Sequence, residues 1–338
     1  MPEITPSRLR RAGVATLVVG LLATALTACA SAQAATGGSG ADSKVVVGAH
    51  ANGAAKEVTL TVEKQDDIIA KLPASVKKSG KLVIGVGALP AGFPPLAFTG
   101  DDAKTLTGSE PDLGRLVAAV LGLETVVTNA TWDNLFVGID SGKTDVGFSN
   151  ITDTEQRKEK YDFASYRQDN LAFEVKDSSS WNFDNNYQNL AGLKVSVSSG
   201  TNQEKILLAW KDKLKAEGKD FTVQYFPDDK SVLLALQSGR IDTYFGPNPT
   251  IAYTVSQNKG TASATRTAGT FSGAGESLQG LIAATTKKDN GLVKPLADAI
   301  NYLIKNGQYD AWLKAYNLSN EAVKTSEVNP AGLPLTNS

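Results

Sequence analysis

Short aliphatic runs alternate with amphipathic segments along most of the chain, and this alternation constrains the fold most strongly. The run Lys81–Val86 is short, apolar and followed by a turn-rich stretch, which is typical of a buried parallel strand. Apolar residues at 113, 116, 117, 120 and 121 have the spacing of one helix face. A second series of the same kind begins near residue 193, so we predict an α/β fold.

Two stretches fall outside the alternation. Residues 260–275 are rich in Gly, Thr and Ser, and we assign no helix or strand to them. Residues 329–338 lack periodicity and are expected to be loose.

Length and composition exclude several classes of protein. At 338 residues the chain suggests about two domains. Its formal net charge of -1 provides no basic field for nucleic acid. One Cys and one His cannot build a Cys/His zinc site or an internal disulfide, and a Ser-His-Asp triad would have to use His50. We expect no cofactor and no metal.

The N-terminus accounts for the single cysteine. Arg8, Arg10 and Arg11 precede an apolar run over residues 12–26, which has the length and flanks of a secretory signal. The following Leu-Thr-Ala-Cys, ending at Cys29, resembles a bacterial lipobox. The resemblance implies a signal peptide over residues 1–28 and a diacylglycerol on the Cys29 sulfur. The alternative is an ordinary signal peptide with a chance cysteine.

The residues after the cysteine are small and polar. We predict a flexible tether over residues 29–56, in or beside which His50 is a solvated linker residue. Two acyl chains on Cys29 would attach the protein stably to the cell membrane, on its extracytoplasmic side.

A series of motifs between about residues 66 and 318 resembles one family. Residues 108–113 read G-S-E-P-D-L, residues 132–145 read W-D-N-L-F-V-G-I-D-S-G-K-T-D, and residues 150–157 read N-I-T-D-T-E-Q-R. Further blocks match in order: 83–86, 93–98, 161–163, 190–195, 199–204, 238–242 and 307–312. The set is similar to the solute-binding proteins of ABC importers, in the polar amino-acid branch known as family 3.

The resemblance implies a two-lobed periplasmic-binding-protein-like fold of type II, in which two crossovers join the lobes. Lobe 1 would comprise residues 57–169 plus 272–338, and lobe 2 residues 170–271. Members of this family close on a ligand held between the lobes, in the manner of a flytrap.

The same resemblance assigns the ligand site. Arg157 would bind the ligand carboxylate, because its planar guanidinium matches a carboxylate with two charge-assisted hydrogen bonds. Thr152 and Thr201 would contact the same carboxylate, and Thr201 is also placed to begin a helix. On residue type alone, a surface arginine would be the simpler interpretation of Arg157.

Two aromatic residues, Phe93 and Trp132, match positions that hold the ligand side chain. The alternative is a core residue, which is equally favoured for Phe93 but less favoured for Trp132. The polar residues assigned to the rest of the cleft are Ser149, Asn150, Glu110, Asn202 and Asn248.

One position departs from the family pattern. Where members that bind α-amino acids carry an aspartate for the ligand ammonium, this chain has Pro247, which offers neither charge nor N–H. Either Glu110, Asp153, Glu276 or a water molecule replaces it, or the ligand is not an ordinary α-amino acid.

The resemblance therefore implies a lipid-anchored, monomeric binding protein that is not an enzyme. It would capture a small carboxylate-bearing solute, an amino acid or a similar compound, and deliver it to an ABC permease with its ATPase. Two alternatives remain open: a cyclohexadienyl-dehydratase-like enzyme using Glu110 or Glu276 as an acid, and a sensory solute receptor.

Overall fold

A computed structural model describes residues 42–335 of the chain. The predicted signal peptide, residues 1–28, and the predicted lipidation site Cys29 lie outside this range. Within it, no helix is both long and apolar enough to cross a membrane.

Thirteen strands are present among the described residues. They are β1 (Ser43–Val47), β2 (Val58–Val62), β3 (Lys81–Val86), β4 (Phe98–Thr99), β5 (Leu106–Thr107), β6 (Glu124–Asn129), β7 (Val146–Gly147), β8 (Tyr161–Lys176), β9 (Lys194–Ser196), β10 (Thr222–Gln224), β11 (Thr243–Pro247), β12 (Thr265–Ser272) and β13 (Gly280–Lys287).

Nine helices are present in the same range, seven of them between strands and two after β13. They are α1 (Asp66–Ile69), α2 (Ala74–Ser79), α3 (Ser109–Val120), α4 (Trp132–Ser141), α5 (Asn202–Ala216), α6 (Asp229–Ser238), α7 (Asn248–Asn258), α8 (Val293–Lys305) and α9 (Gln308–Ala315). Short 3₁₀ turns lie at Arg157–Glu159, Tyr187–Leu190 and Ser319–Glu321. The predicted α/β class is confirmed.

The long strand β8 organises the largest sheet, whose order is β10-β9-β11-β8-β13-β7-β3-β6, with β12 also paired to β8. Its first part, up to Asp169, pairs antiparallel with β13. Its second part, from Asn170, pairs antiparallel with β12, and with β11 from Leu171 onward. One continuous strand therefore joins two groups of strands, and its partners change between Asp169 and Asn170.

Two main hydrophobic cores lie on either side of that change. The larger is built from β1, β3, α3, α8 and α9, and we call the part of the chain around it lobe 1. The second surrounds Phe173, which stacks on Phe245 with ring centroids 4.3 Å apart, and we call its surroundings lobe 2. Aromatic stacking of this kind adds to the burial of apolar area.

The prediction of a flexible tether over residues 29–56 is wrong for its C-terminal part. Residues 43–47 form β1, which pairs antiparallel with β2. Val45 and Val47 are buried in the lobe 1 core while Val46 is exposed, so the strand has one inner and one outer face. His50 is also not a free linker residue, since its Nδ1 lies 3.0 Å from Asp101 Oδ1.

Two other expectations from local composition also fail. Residues 265–272, in the Gly/Thr/Ser-rich stretch, form β12, because β-branched threonines suit a strand. The C-terminal segment is anchored: Leu333 is fully buried, packs in the lobe 2 core and pairs with Thr154.

Candidate functional site

A cavity of about 350 Å³ lies between lobe 1 and lobe 2, and we call it the cleft. Lobe 1 contributes a wall that includes Gly87, Phe93, Trp132, Ser149 and Asn150. Lobe 2 contributes a wall that includes Thr201, Asn202, Asp229, Tyr244, Pro247 and Thr250. A cavity lined by aromatic, apolar and a few polar groups has the character of a small-molecule site.

Four helices point their N-termini at this cleft. Thr131 caps α4, Thr201 caps α5 and Asp228 caps α6, each accepting a hydrogen bond from a backbone N–H three residues later. Pro247 precedes α7 and also lines the cleft. Helix N-termini carry partial positive charge and favour an anionic group beside them.

The predicted cleft residues of lobe 1 are held in place by backbone contacts. Ser149 is buried, and its Oγ accepts a hydrogen bond of 2.8 Å from Gly87 N. Asn150 has a positive φ of 53°, a conformation that Asn tolerates better than most residues. Phe93 and Trp132 are partly buried and line the cleft.

Glu110 is not open to the cleft, and its assignment there is corrected. The carboxylate is fully buried and accepts hydrogen bonds from Asn150 N (2.7 Å to Oε2), from the Tyr166 hydroxyl and from Arg167. Arg167 is itself buried and also pairs with Glu321. The acidic group at position 110 is therefore committed to an ion network below the cleft floor.

Asn248 is also displaced from its predicted role. Its Nδ2 lies 3.5 Å from Glu321 Oε1, so it belongs to the edge of the same network and does not line the cleft. Removing one partner of a buried ion pair leaves the other charge buried without compensation. The buried network therefore holds its members in place.

Arg157 lies on the far side of Trp132 from the cleft. It lines a second, more open groove of about 840 Å³, which shares Trp132, Thr201 and Asn202 with the cleft. Its guanidinium lies over the Trp132 and Phe136 rings, 5.4 Å from each centroid, which is cation–π distance.

The guanidinium of Arg157 reaches both lobes. Nη1 donates to Thr152 O (2.9 Å) and Nη2 to Gly200 O of lobe 2 (3.3 Å). Trp132 Nε1 donates to the same Gly200 carbonyl at 3.2 Å. Burial lowers the pKa of Arg157 to about 10, so it is charged at neutral pH.

The two threonines assigned to the carboxylate have different surroundings. Thr152 Oγ1 donates to Asp169 Oδ2 (2.7 Å), and Asn202 Nδ2 of lobe 2 donates to the same oxygen (3.0 Å). Thr201 Oγ1 donates to Ser198 O (2.6 Å) while capping α5, and the residue lines the cleft. Burial raises the pKa of Asp169 to about 6, opposed by Thr152 and Arg167.

Sequence reasoning missed Arg167, Asp169 and Asp229. A signal for the first two exists: the polar run from Arg167 to Asn170 interrupts an otherwise apolar strand. The proposed substitutes for the missing ammonium-binding carboxylate lie elsewhere, because Asp153 is buried beside Lys158 and Glu276 lines a different pocket. The carboxylates that do line the cleft belong to Asp133, Asp228 and Asp229.

Comparison with known proteins gives a consistent result. The family model of bacterial extracellular solute-binding proteins, family 3, matches residues 84–319. The L-cystine-binding protein TcyJ of Escherichia coli strain K12 is 30% identical over 237 residues, which cover 70% of this chain and 82% of that protein. A probable histidine-binding protein of Campylobacter jejuni is 28% identical over 72% of this chain and 89% of its own length.

A solved structure has the same fold. An ancestral arginine-binding protein bound to arginine superimposes with a TM-score of 0.60 at 26% identity, covering 70% of this chain and 98% of that one. The predicted periplasmic-binding-protein-like fold is confirmed by this likeness.

Proposed function

This chain belongs to the bacterial extracellular solute-binding proteins of family 3, and we propose that it captures an amino acid in the cleft for an ABC permease. The observation that carries the proposal is the cleft itself. It lies between two lobes, its volume of about 350 Å³ suits a small solute, and it combines an aromatic wall with four helix N-termini. The similar proteins are described as binding cystine, histidine and arginine, which supports an amino acid as the solute.

In our proposal the ligand carboxylate binds Arg157, Thr152 and Thr201. Arg157 now donates to two backbone carbonyls, and a guanidinium has five N–H donors in all. Separation of the lobes would break its contact with Gly200 and release Nη2 toward the incoming ligand. The α5 N-terminus at Thr201 would then close on the same carboxylate.

Phe93 and Trp132 would hold the remainder of the ligand. Both are partly buried and line the cleft from lobe 1. Trp132 also forms the partition between the cleft and Arg157, so its movement is part of ligand entry in this proposal.

The two lobes would close as bodies, with the predicted bounds 57–169 plus 272–338 and 170–271, except that β1 packs in the lobe 1 core and Leu333 packs in the lobe 2 core. The change of strand partners within β8, between Asp169 and Asn170, supports a hinge at that point. Hinge residues absorb the backbone rotation in closures of this kind.

A thermal-shift screen of the free amino acids tests the function. A ligand that binds only the folded protein raises its melting temperature, so at least one amino acid should do so. The control is Arg157→Ala, which should weaken binding of that amino acid by about 2–5 kcal/mol. A screen in which no amino acid shifts the wild-type protein would contradict the proposal.

We also propose that Cys29 carries the lipid anchor and that the mature protein begins there. Two acyl chains suffice for stable attachment where one is marginal. Cell fractionation of the Cys29→Ser variant should find the protein released or unprocessed. Wild-type-like retention in the membrane fraction would refute this anchor while leaving amino-acid binding intact.

The alternative of a dehydratase-like enzyme required Glu110 or Glu276 as an acid, and neither of these residues lines the cleft. Glu110 is paired with Arg167 beneath the cleft, and Glu276 lines another pocket. A general acid must reach the reacting atom, so neither is placed for that role.

A further inference from the structure

The charged residues that line the cleft all have the same sign. Among the described lining residues, Asp133, Asp228 and Asp229 are acidic and none is basic. A cleft bordered by charges of one sign concentrates solutes of the opposite charge. Asp228 is committed to capping α6, since its Oδ1 accepts from Ser231 N at 2.8 Å.

Asp229 differs from its neighbour in being unsatisfied. The residue as a whole is partly buried, but its Oδ2 is fully enclosed and has no hydrogen-bond partner among the described residues. Burial, together with the charge of Asp228, raises the pKa of Asp229 to about 6. A buried carboxylate oxygen without a donor is costly, and a ligand cation would relieve that cost.

A second unsatisfied group lines the same wall. Thr250 is 3% exposed, and its Oγ1 has no hydrogen-bond partner among the described residues. It lies in the first turn of α7, whereas Asp229 lies in the first turn of α6, and both line the cleft. Buried polar groups in folded proteins are normally paired, so an unpaired carboxylate oxygen and an unpaired hydroxyl on one cleft wall point to a missing polar partner.

Tyr244 lines the same wall as Asp229 and Thr250 and lies three residues before Pro247. Tyr244 and Asp229 both line the cleft, and the charge of Asp229 contributes, after burial, to raising the pKa of Tyr244. The Tyr244 hydroxyl folds over Gly246, where an added Cβ would lie 2.4 Å from it. Pro247, the next residue, supplies no N–H donor of its own to this wall.

We infer that Asp229 and Thr250 form a cation subsite on the lobe 2 wall of the cleft, which receives a positively charged nitrogen of the bound solute. The inference rests on the proposed function and specifies it: the solute carries an ammonium or guanidinium group that lies against the first turns of α6 and α7. Charge-assisted hydrogen bonds to a buried carboxylate are among the stronger polar contacts.

Isothermal titration of Asp229→Asn tests the subsite, with L-arginine as titrant, or L-cystine if the wild type does not bind L-arginine. The amide keeps the side-chain shape and removes the charge, so binding should weaken by at least about tenfold. The matched control is Asp228→Asn, which keeps a capping oxygen and should change affinity by less than about threefold. Thr250→Val, which removes only the hydroxyl, should weaken binding measurably.

Two analogues of L-arginine identify the nitrogen that meets Asp229. L-Citrulline lacks the guanidinium charge, and 5-guanidinopentanoic acid lacks the α-amino group. The loss caused by Asp229→Asn should shrink for the analogue that lacks the contacted nitrogen, because there is then no contact to lose. For L-cystine, the desamino analogue serves the same purpose.

The results that would overturn the proposed function differ from those that would overturn the cation subsite alone. A wild-type protein that binds no amino acid overturns the proposed function, and the subsite falls with it. Tight binding that Asp229→Asn leaves unchanged overturns the subsite alone. An equal loss for the parent amino acid and every analogue would mean that Asp229 acts on the fold, and would also overturn the subsite; thermal melts of each variant identify a folding defect.

Discussion

Asp153 has an environment poorly suited to its charge. It is fully buried, and neither carboxylate oxygen makes a hydrogen bond among the described residues, although Lys158 Nζ lies 3.5 Å from Oδ1. Burial raises its pKa to about 7, against the opposing effect of Lys158. Because the folded pKa is above the unfolded one, this group's contribution to stability falls as pH rises from about 4 to 7.

We therefore expect Asp153→Asn to stabilise the protein above pH 7 and to have little effect near pH 4. Each pKa unit corresponds to about 1.4 kcal/mol, so the free energy of unfolding at pH 8 should rise by about 2–4 kcal/mol. Chemical denaturation at the two pH values measures this. Glu155→Gln is the control, since Lys158 holds the pKa of Glu155 below its usual range and removing that charge should not stabilise. A loss of stability in Asp153→Asn at pH 8 would show that the Lys158 pair outweighs burial.

Among the secondary-structure elements, strands β1 and β8 were not predicted from local sequence patterns. The helices and the parallel strands were predictable because their apolar residues recur with a period of 3.6 or form short continuous runs. Strand β8 was not predicted as one 16-residue strand, because Arg167 to Asn170 are polar. Their polarity is satisfied by groups distant in sequence, such as Glu321, which lies 154 residues from Arg167.

The folded state of β1 can be tested with two adjacent valines. Val47 is fully buried and Val46 is 38% exposed, so only Val47→Ala should cost stability, by about 1–3 kcal/mol. The difference in denaturation midpoint between Val47→Ala and Val46→Ala measures this. If both substitutions left the denaturation midpoint unchanged, residues 43–47 would belong to a flexible tether, as the sequence predicted.

For the molecule as a whole, the sequence predicted the periplasmic-binding-protein-like fold but not the electrostatics of the cleft. Phe93, Trp132, Ser149 and Thr201 line the cleft, and their roles in binding stay predictions. The separation of Arg157 from the cleft depends on how lobe 2 meets lobe 1 at Gly200, which no local pattern encodes. Asp229 was not identified from the sequence for a related reason. Aspartate is common at helix starts, and only the structure shows that this one is partly buried in the cleft wall.

A crystal structure of the protein grown with the amino acid that most raises its melting temperature tests the central claim most directly. We predict that Trp132 has moved aside and that the amino acid lies in the cleft between Phe93 and the lobe 2 wall, with its carboxylate on Arg157 and a cationic nitrogen on Asp229. An amino acid bound outside the cleft, or bound inside it with its carboxylate away from Arg157, would contradict the account.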